Sequence, residues 1–267
     1  MPTADLGDIS LHYKVHGEGD RSVLGLMGFA LDQRFWAAQI PAVTPYGRFI
    51  TFDNRGTGRS TGELITSIDQ MADDAVRLLD HLEIDKTVVF GVSMGGTIAQ
   101  RIALDHPDRL SALILGITWA RPLEYMRRQD HLANLLADAA GPAELIDSSL
   151  IRMFTPRFFE MGQEAVDRMV AAFFTDSGPG LPATEVLKAQ LDALGKHDVL
   201  HELHKIDVPT LVFGGKMDMM VPGFASEEIA QAIPGSQLVM LETGHGSGVE
   251  EMEAFNGAVS GFLKALQ

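Results

Sequence analysis

The sequence contains no cysteine among its 267 residues. Disulfide bonds, thiolate nucleophiles and cysteine-ligated zinc sites are therefore excluded. Basic side chains are also scarce, because 21 Lys and Arg stand against 36 Asp and Glu and give a formal net charge of −15 at pH 7. Such a charge repels phosphate backbones and anionic lipid, so we expect neither a nucleic-acid partner nor a membrane-surface partner.

Long apolar runs are missing as well. No run approaches the roughly 20 residues that span a bilayer, and residues 1–8 lack the basic and apolar regions of a secretory signal. We therefore expect a cytoplasmic protein. Hydrophobic residues make up 46% of the chain, which is enough for a sizeable core, and the length favours one large α/β domain or a core with an inserted subdomain.

Short apolar runs alternate along the chain with longer segments of helical periodicity. Several runs are almost entirely apolar, which is typical of strands covered on both faces of a parallel sheet. Seven strands are predicted, at residues 9–16, 23–26, 48–52, 87–90, 112–115, 210–213 and 237–241. Helices are predicted at 68–82, 98–104 and 254–266, the first with a capping box formed by Ser67 and Gln70.

The alternation stops after Leu115 and resumes at Val208. Between these points the sequence shows helical patterns and many Met and Phe residues, including Phe173 and Phe174, which we expect to pack within the insertion. We predict an α/β core at 1–118 and 205–267, and a helical cap inserted at 119–204.

The most informative segment is Gly91-Val-Ser-Met-Gly95, a G-x-S-x-G motif between a predicted strand and a predicted helix. A serine at so sharp a turn presents its hydroxyl at the edge of the sheet, and glycines on either side let neighbouring backbone pass close by. The helix that follows directs the positive end of its dipole toward a developing oxyanion. Ser93 is therefore the candidate nucleophile.

A serine hydroxyl needs a base, and the base needs an orienting carboxylate. Asp218 lies just after the predicted strand 210–213, and His245 lies just after the predicted strand 237–241. Because functional loops of open α/β sheets gather at the carboxyl ends of the strands, we expect Ser93, Asp218 and His245 to converge there as a catalytic triad.

With these motifs the chain resembles the α/β-hydrolase fold family over nearly its whole length. The segment Phe52-Asp-Asn-Arg-Gly-Thr-Gly-Arg-Ser60 resembles the family's D-x-R-G-x-G-x-S loop, and 106–110 and 208–211 are also similar to family segments. The resemblance implies an α/β-hydrolase fold, that is, a mostly parallel twisted sheet flanked by helices with a helical cap insertion. Within the family, the chain looks most like enol-lactone hydrolases and small carboxylesterases.

The resemblance also implies an oxyanion hole formed by the backbone N–H groups of Phe29 and Met94. Here the chain departs from the family, which usually has His-Gly where this sequence has Met27-Gly28. A histidine can anchor this loop by a hydrogen bond and a methionine cannot. The departure puts the anchoring of the loop in question but leaves the Phe29 donor intact.

Apolar residues of the cap region, together with Met219 and Val221 after the predicted strand 210–213, are the candidates for a substrate pocket. Helical spacing predicts that most of them form cap packing, and thioether and aromatic surfaces adapt to varied substrates. The candidate pocket residues are Trp119, Met126, Phe154, Phe158, Met219 and Val221.

A metal site is a weaker alternative. His197, His201 and His204 would share one face of a helix, but no carboxylate motif or second histidine cluster completes a ligand set. We expect no metal ion and no cofactor.

The resulting hypothesis is a serine hydrolase that cleaves a small, largely apolar ester or lactone through an acyl-enzyme. Carbon–carbon bond hydrolysis, amide hydrolysis and peracid formation remain alternatives on the same triad, as does a non-catalytic small-molecule receptor. An interaction protein that retains only the scaffold is disfavoured by the intact set of Ser, Asp and His. The sequence leaves the physiological substrate and the oligomeric state open.

Overall fold

A computed structural model describes residues 2–164, 166–167 and 180–267. Its framework is a nine-stranded sheet in the order β1-β2-β4-β3-β6-β7-β8-β9, with β5 paired to β2. The strands are β1 Thr3–Asp5, β2 Ile9–His16, β3 Ser22–Leu26, β4 Arg48–Phe52, β5 Thr61–Gly62, β6 Thr87–Val92, β7 Leu110–Gly116, β8 Thr210–Gly215 and β9 Gln237–Leu241. All pairs from β4 through β3 to β9 are parallel, whereas β2 pairs antiparallel with β1, β4 and β5.

All seven predicted strands are confirmed, with ends that differ by up to two residues. The central ones are buried on both faces, as the apolar runs indicated: every residue of β3 and β8 is buried. The two unpredicted strands are short, at three residues for β1 and two for β5. Segments of that length carry too little periodicity to be recognised.

Helices cover both faces of the sheet. Those with bounds inside the described ranges are α1 Ile40–Val43, α2 Ile68–His81, α3 Met94–Asp105, α4 Glu124–Ala139, α5 Pro142–Met153, α6 Pro156–Phe159, α7 Thr184–Gly195, α8 Phe224–Ala232, α9 Ser247–Glu250 and α10 Met252–Ala265. Short 3-10 helices lie at Gln33–Trp36, Thr44–Tyr46, Pro107–Arg109 and Leu200–Lys205. The start of α2 differs in one detail from the predicted capping box. Ser67 caps the Gln70 N–H as expected, but the Gln70 side chain accepts a hydrogen bond from the Thr66 N–H instead of the Ser67 N–H.

Two apolar clusters hold these layers together. The larger one packs α2 and α3 against one face of the sheet. The smaller one, on the other face, is rich in aromatic rings: Phe255 of α10 stacks on Phe213 of β8 with centroids 4.6 Å apart, and Trp36 packs on Phe90 at the same distance. Both clusters fix the central strands, whose carboxyl ends carry the candidate site.

The described residues between β7 and β8 contain helices and no strand, and α4 to α7 all fall in this stretch. The boundaries 119–204 for a cap remain a prediction. Phe173 and Phe174 lie outside the described residues. Across the described ranges, no helix is long and apolar enough to cross a membrane.

Candidate active site

Ser93 lies at the turn between β6 and α3, in a left-handed backbone conformation with φ of 53°. A non-glycine residue adopts this conformation only where its surroundings compensate the strain. Here the Ser93 N–H donates to the Gly116 carbonyl at 2.9 Å, and the Ser93 carbonyl accepts from the Gly96 N–H at 2.9 Å and the Thr118 hydroxyl at 2.8 Å. Gly95 lets α3 approach β3 closely, because a Cβ atom there would stand 1.9 Å from the Leu26 carbonyl oxygen.

The structure brings Ser93, His245 and Asp218 together from three loops. His245 Nε2 lies 2.9 Å from the Ser93 hydroxyl oxygen, and His245 Nδ1 lies 2.8 Å from Asp218 Oδ2. The Asp218 side chain is fully buried and that of His245 is 7% exposed. The contact to the carboxylate places the proton of the neutral ring on Nδ1, so that Nε2 faces the hydroxyl as an acceptor.

The loops that carry Asp218 and His245 are held by further hydrogen bonds. Asp218 Oδ1 accepts from the N–H groups of Met220 and Val221, both at 2.8 Å. The carboxylate of Glu250 accepts from the Gly244 N–H at 2.8 Å, next to His245, and from the N–H and hydroxyl of Thr155, both at 2.7 Å. The backbone around both Asp218 and His245 is therefore fixed by hydrogen bonds.

The loop of the predicted oxyanion donor lies beside Ser93. A Cβ atom on Gly28 would stand 3.3 Å from the Ser93 Cβ. Within the described residues, the N–H groups of Phe29 and Met94 donate no hydrogen bond. For Met94 this is expected, because the first N–H groups of a helix have no partner within it.

Two amide side chains anchor this loop where a histidine usually does in the family. Asn54 donates through Nδ2 to the Met27 carbonyl at 3.1 Å. Gln190 of α7 accepts the Ala30 N–H at 3.0 Å and donates to the Thr57 hydroxyl at 3.0 Å. Ala30 has φ of 63°, and Gln190 is fully buried. The Met27 side chain is buried in the aromatic cluster instead.

A cavity of about 200 Å³ opens above Ser93 and His245. It is smaller than the roughly 300–1,000 Å³ of pockets for drug-sized ligands, so it suits a small substrate. Of the predicted pocket residues, Trp119, Met126, Phe154 and Val221 line it, together with Phe29 and further apolar side chains.

The structure does not place Phe158 or Met219 in the cavity lining. The Phe158 ring instead stacks on that of Phe154, which lines the cavity, with centroids 4.1 Å apart. Met219 is 54% exposed, because the Asp218 carboxylate binds the N–H groups of Met220 and Val221 and the chain turns at Met219. Its neighbours Met220 and Val221 line the cavity.

The cavity also contains polar side chains that sequence patterns did not single out, among them Gln129, Asp130 and Arg152. Burial raises the pKa of Asp130 to about 6, and the nearby Arg152 opposes this rise.

The three histidines of the weaker metal hypothesis are not equivalent. His197 is buried with Nε2 3.1 Å from Gln100 Oε1, and burial lowers its pKa to about 4. His201 and His204 are exposed on the 3-10 helix Leu200–Lys205. Among the residues that the structure covers, no group of three His, Asp or Glu side chains is arranged to hold a metal ion.

Comparison with known proteins shows which family the chain belongs to. The family model described as alpha/beta hydrolase fold matches residues 15–251. The chain belongs to this family. It is 34% identical to the protein of Caulobacter vibrioides provisionally named carbamate hydrolase RutD, over 95% of both chains.

The chain is also 30% identical to 3-oxoadipate enol-lactonase 2 of Acinetobacter baylyi, over 96% of this chain and 94% of the relative. Among solved structures, the enol-lactonase from Burkholderia xenovorans LB400 matches with a TM-score of 0.89 and 29% identity, over 98% of this chain and 100% of that one. The protein is therefore a hydrolase of the α/β-hydrolase family, and its predicted fold is confirmed.

Sequence reasoning missed the side chains that support this α/β-hydrolase site. Asn54 carried a usable signal, since it lies inside the D-x-R-G segment next to Asp53. Gln129, Gln190 and Glu250 carried none, because a polar residue on an amphipathic helix is typical of a solvent-facing position.

Proposed function

We propose that this hydrolase cleaves carboxylic esters or lactones of small, largely apolar substrates through an acyl-enzyme. The observation that carries the proposal is the continuous contact from the Ser93 hydroxyl through both nitrogens of His245 to the buried Asp218 carboxylate. Each group has the partner that its role requires.

In this mechanism, the Ser93 oxygen attacks the substrate carbonyl carbon while His245 Nε2 takes the hydroxyl proton. The tetrahedral oxyanion accepts hydrogen bonds from the N–H groups of Phe29 and Met94. Collapse of this intermediate breaks the bond to the leaving alkoxide, which takes the proton from His245. Water then repeats the sequence at the acyl carbonyl and regenerates Ser93. Asp218 keeps its charge throughout and stabilises the imidazolium that forms in each half-reaction.

The relatives support a carbonyl centre as the target, because carbamates and enol-lactones both present one. The mostly apolar cavity lining supports a small substrate with a largely apolar body. Amide and carbon–carbon bond hydrolysis use the same groups and stay alternatives, and a cytoplasmic location stays a prediction.

Hydrolysis of p-nitrophenyl butyrate by the wild type and by Ser93→Ala tests the proposal. We expect the variant to lose about a thousandfold or more in kcat and to escape labelling by a fluorophosphonate. Ser148→Ala is the matched control, because Ser148 is exposed on α5 and outside the cavity lining. Equal rates for wild type and Ser93→Ala would refute the serine mechanism. A panel of lactones, linear esters and carbamates then orders the substrate classes.

A further inference from the structure

Asp130 and Gln129 of α4 and Arg152 of α5 form a polar part of the cavity lining, which we call the polar corner. Gln129 holds this corner in place. Its Oε1 accepts from Arg152 Nη1 at 2.9 Å, and its Nε2 donates to the Met220 carbonyl at 3.0 Å. Because Met220 also donates its N–H to Asp218, the corner is joined to the loop of the proposed triad.

The polar corner lines the cavity and has unused hydrogen-bonding capacity, and Asp130 also borders a second groove beside Lys188 and Lys196. Within the described part of the chain, the Asp130 carboxylate accepts no hydrogen bond and forms no ion pair within 4 Å, and Arg152 donates only to Gln129. Burial without a donor is unfavourable for a carboxylate, and the raised pKa of Asp130 reflects this cost. A polar group of a ligand would relieve it.

The charges of the corner restrict the chemistry of that ligand group. Asp130 and Arg152 carry opposite charges, and they are close enough for Arg152 to influence Asp130 but not to form an ion pair with it. A carboxylate on the ligand would be attracted by Arg152 and repelled by Asp130, and an ammonium group the reverse. A neutral group that both donates and accepts satisfies both side chains at once.

We propose that the polar corner recognises a secondary amide on the substrate, with the amide N–H donating to Asp130 and the amide oxygen accepting from Arg152. The inference rests on the proposed function, because the amide must belong to an ester or lactone that Ser93 attacks. The substrate class is therefore a small acyl compound with an apolar chain that ends in, or is interrupted by, an uncharged amide.

Three p-nitrophenyl esters with acyl groups of nearly equal shape test this proposal: 4-acetamidobutanoate, 6-methylheptanoate and hexanedioate monoester. They place an amide, a branched alkyl group and a carboxylate at the same distance from the carbonyl. Homologues with acyl chains one carbon shorter and one carbon longer cover different distances between the ester carbonyl and the polar corner. We expect the best amide ester to exceed its alkyl and carboxylate counterparts about tenfold in kcat/KM, the effect of hydrogen bonds to charged groups.

Three variants test whether the polar corner causes this preference. Asp130→Leu and Arg152→Met should each reduce the amide-to-alkyl ratio of kcat/KM to near one. Asp130→Asn, which leaves Arg152 as the net charge, should instead raise the relative rate of the carboxylate ester. Arg128→Met is the control and should keep the wild-type ratio, because the Arg128 side chain is 80% exposed on the same helix.

Binding of the corresponding methyl ketones, which cannot be hydrolysed, gives a readout independent of turnover. Calorimetry should show the acetamido ketone binding about tenfold more tightly than the alkyl ketone to the wild type, and equally to Asp130→Leu. Equal binding of both ketones to the wild type would overturn the amide proposal even if Ser93 hydrolyses the esters. Tighter binding of the acetamido ketone without ester hydrolysis would support amide recognition by the polar corner and overturn the proposed ester hydrolysis.

Discussion

Replacing Gln190 with Met should damage turnover far more than substrate binding. The Gln190 side chain is fully buried and joins three segments: α7, the Ala30 backbone next to Phe29, and Thr57 in the D-x-R-G loop. Methionine fills a similar volume but makes neither hydrogen bond. The variant therefore removes one of the two anchors of the proposed oxyanion loop, the one next to Phe29, without opening a large cavity.

The free-energy cost of Gln190→Met follows from the contacts that the variant loses. Each lost hydrogen bond is worth about 1 kcal/mol, and leaving the buried Ala30 N–H without a partner costs about 1–3 kcal/mol. The left-handed conformation of Ala30, with φ of 63°, also loses a support. If the loop relaxes so that the Phe29 N–H no longer meets the oxyanion, the loss approaches the roughly 3–4 kcal/mol of one missing donor.

We expect kcat for p-nitrophenyl butyrate to fall about 10- to 300-fold in Gln190→Met, with KM changed less than threefold. Gln190→Glu should recover part of the loss, because a carboxylate still accepts the Ala30 N–H. Gln231→Met, at an exposed position on α8, controls for the exchange itself. Thermal unfolding confirms that the variants are folded. A folded Gln190→Met with unchanged kcat, or with a raised KM alone, would refute the reasoning.

Three further predictions concern stability. Because the pKa of Asp130 is raised to about 6, the folded state binds more protons than the unfolded state between about pH 4 and 6. The free energy of unfolding should therefore fall as pH rises through this window. At pH 7.5, Asp130→Asn should raise Tm and add about 2 kcal/mol to the free energy of unfolding after solvent screening. At pH 4 it should raise neither. The pKa of His197 is lowered to about 4, so the unfolded state takes up the proton first on acidification. In urea unfolding, the free energy of unfolding should decrease by up to about 3 kcal/mol between pH 7 and 4. His197→Gln should make the free energy of unfolding depend less on pH in this range. An unchanged pH dependence would contradict its assignment to His197. Gly95→Ala should abolish folding or activity, because its Cβ would stand 1.9 Å from the Leu26 carbonyl oxygen; a stable, fully active variant by circular dichroism and ester assay would count against this packing.

The parallel core was predictable because each of its strands is a short apolar run with clear boundaries. The same holds for the convergence of Ser93, Asp218 and His245, since strand ends at one edge of a parallel sheet must meet. The paired positions of Phe158 and Phe154 were not predictable, because which ring faces a cavity depends on how an insertion packs and periodicity does not record this.

The side chains that support the site could not be predicted from the sequence, for a related reason. Gln190 and Glu250 each connect segments far apart in sequence, and Gln190 lies 160 residues from the Ala30 that it binds. A contact of that separation leaves no local pattern. The question raised by Met27 could therefore be answered only in three dimensions, where Asn54 and Gln190 supply the anchoring.

The helices between β7 and β8 hold the loops of the proposed triad from two sides. Tyr125 and Gln129 of α4 bind the carbonyls of Met219 and Met220, and the Met153 carbonyl at the end of α5 accepts the Gly246 N–H at 2.8 Å. An outward swing of α4 and α5 as one rigid lid would thus pull the aspartate and the histidine apart. Admission of a substrate and alignment of the reacting groups therefore depend on the same two helices, and a substrate that enters with α4 and α5 in place meets an aspartate and a histidine that are already paired.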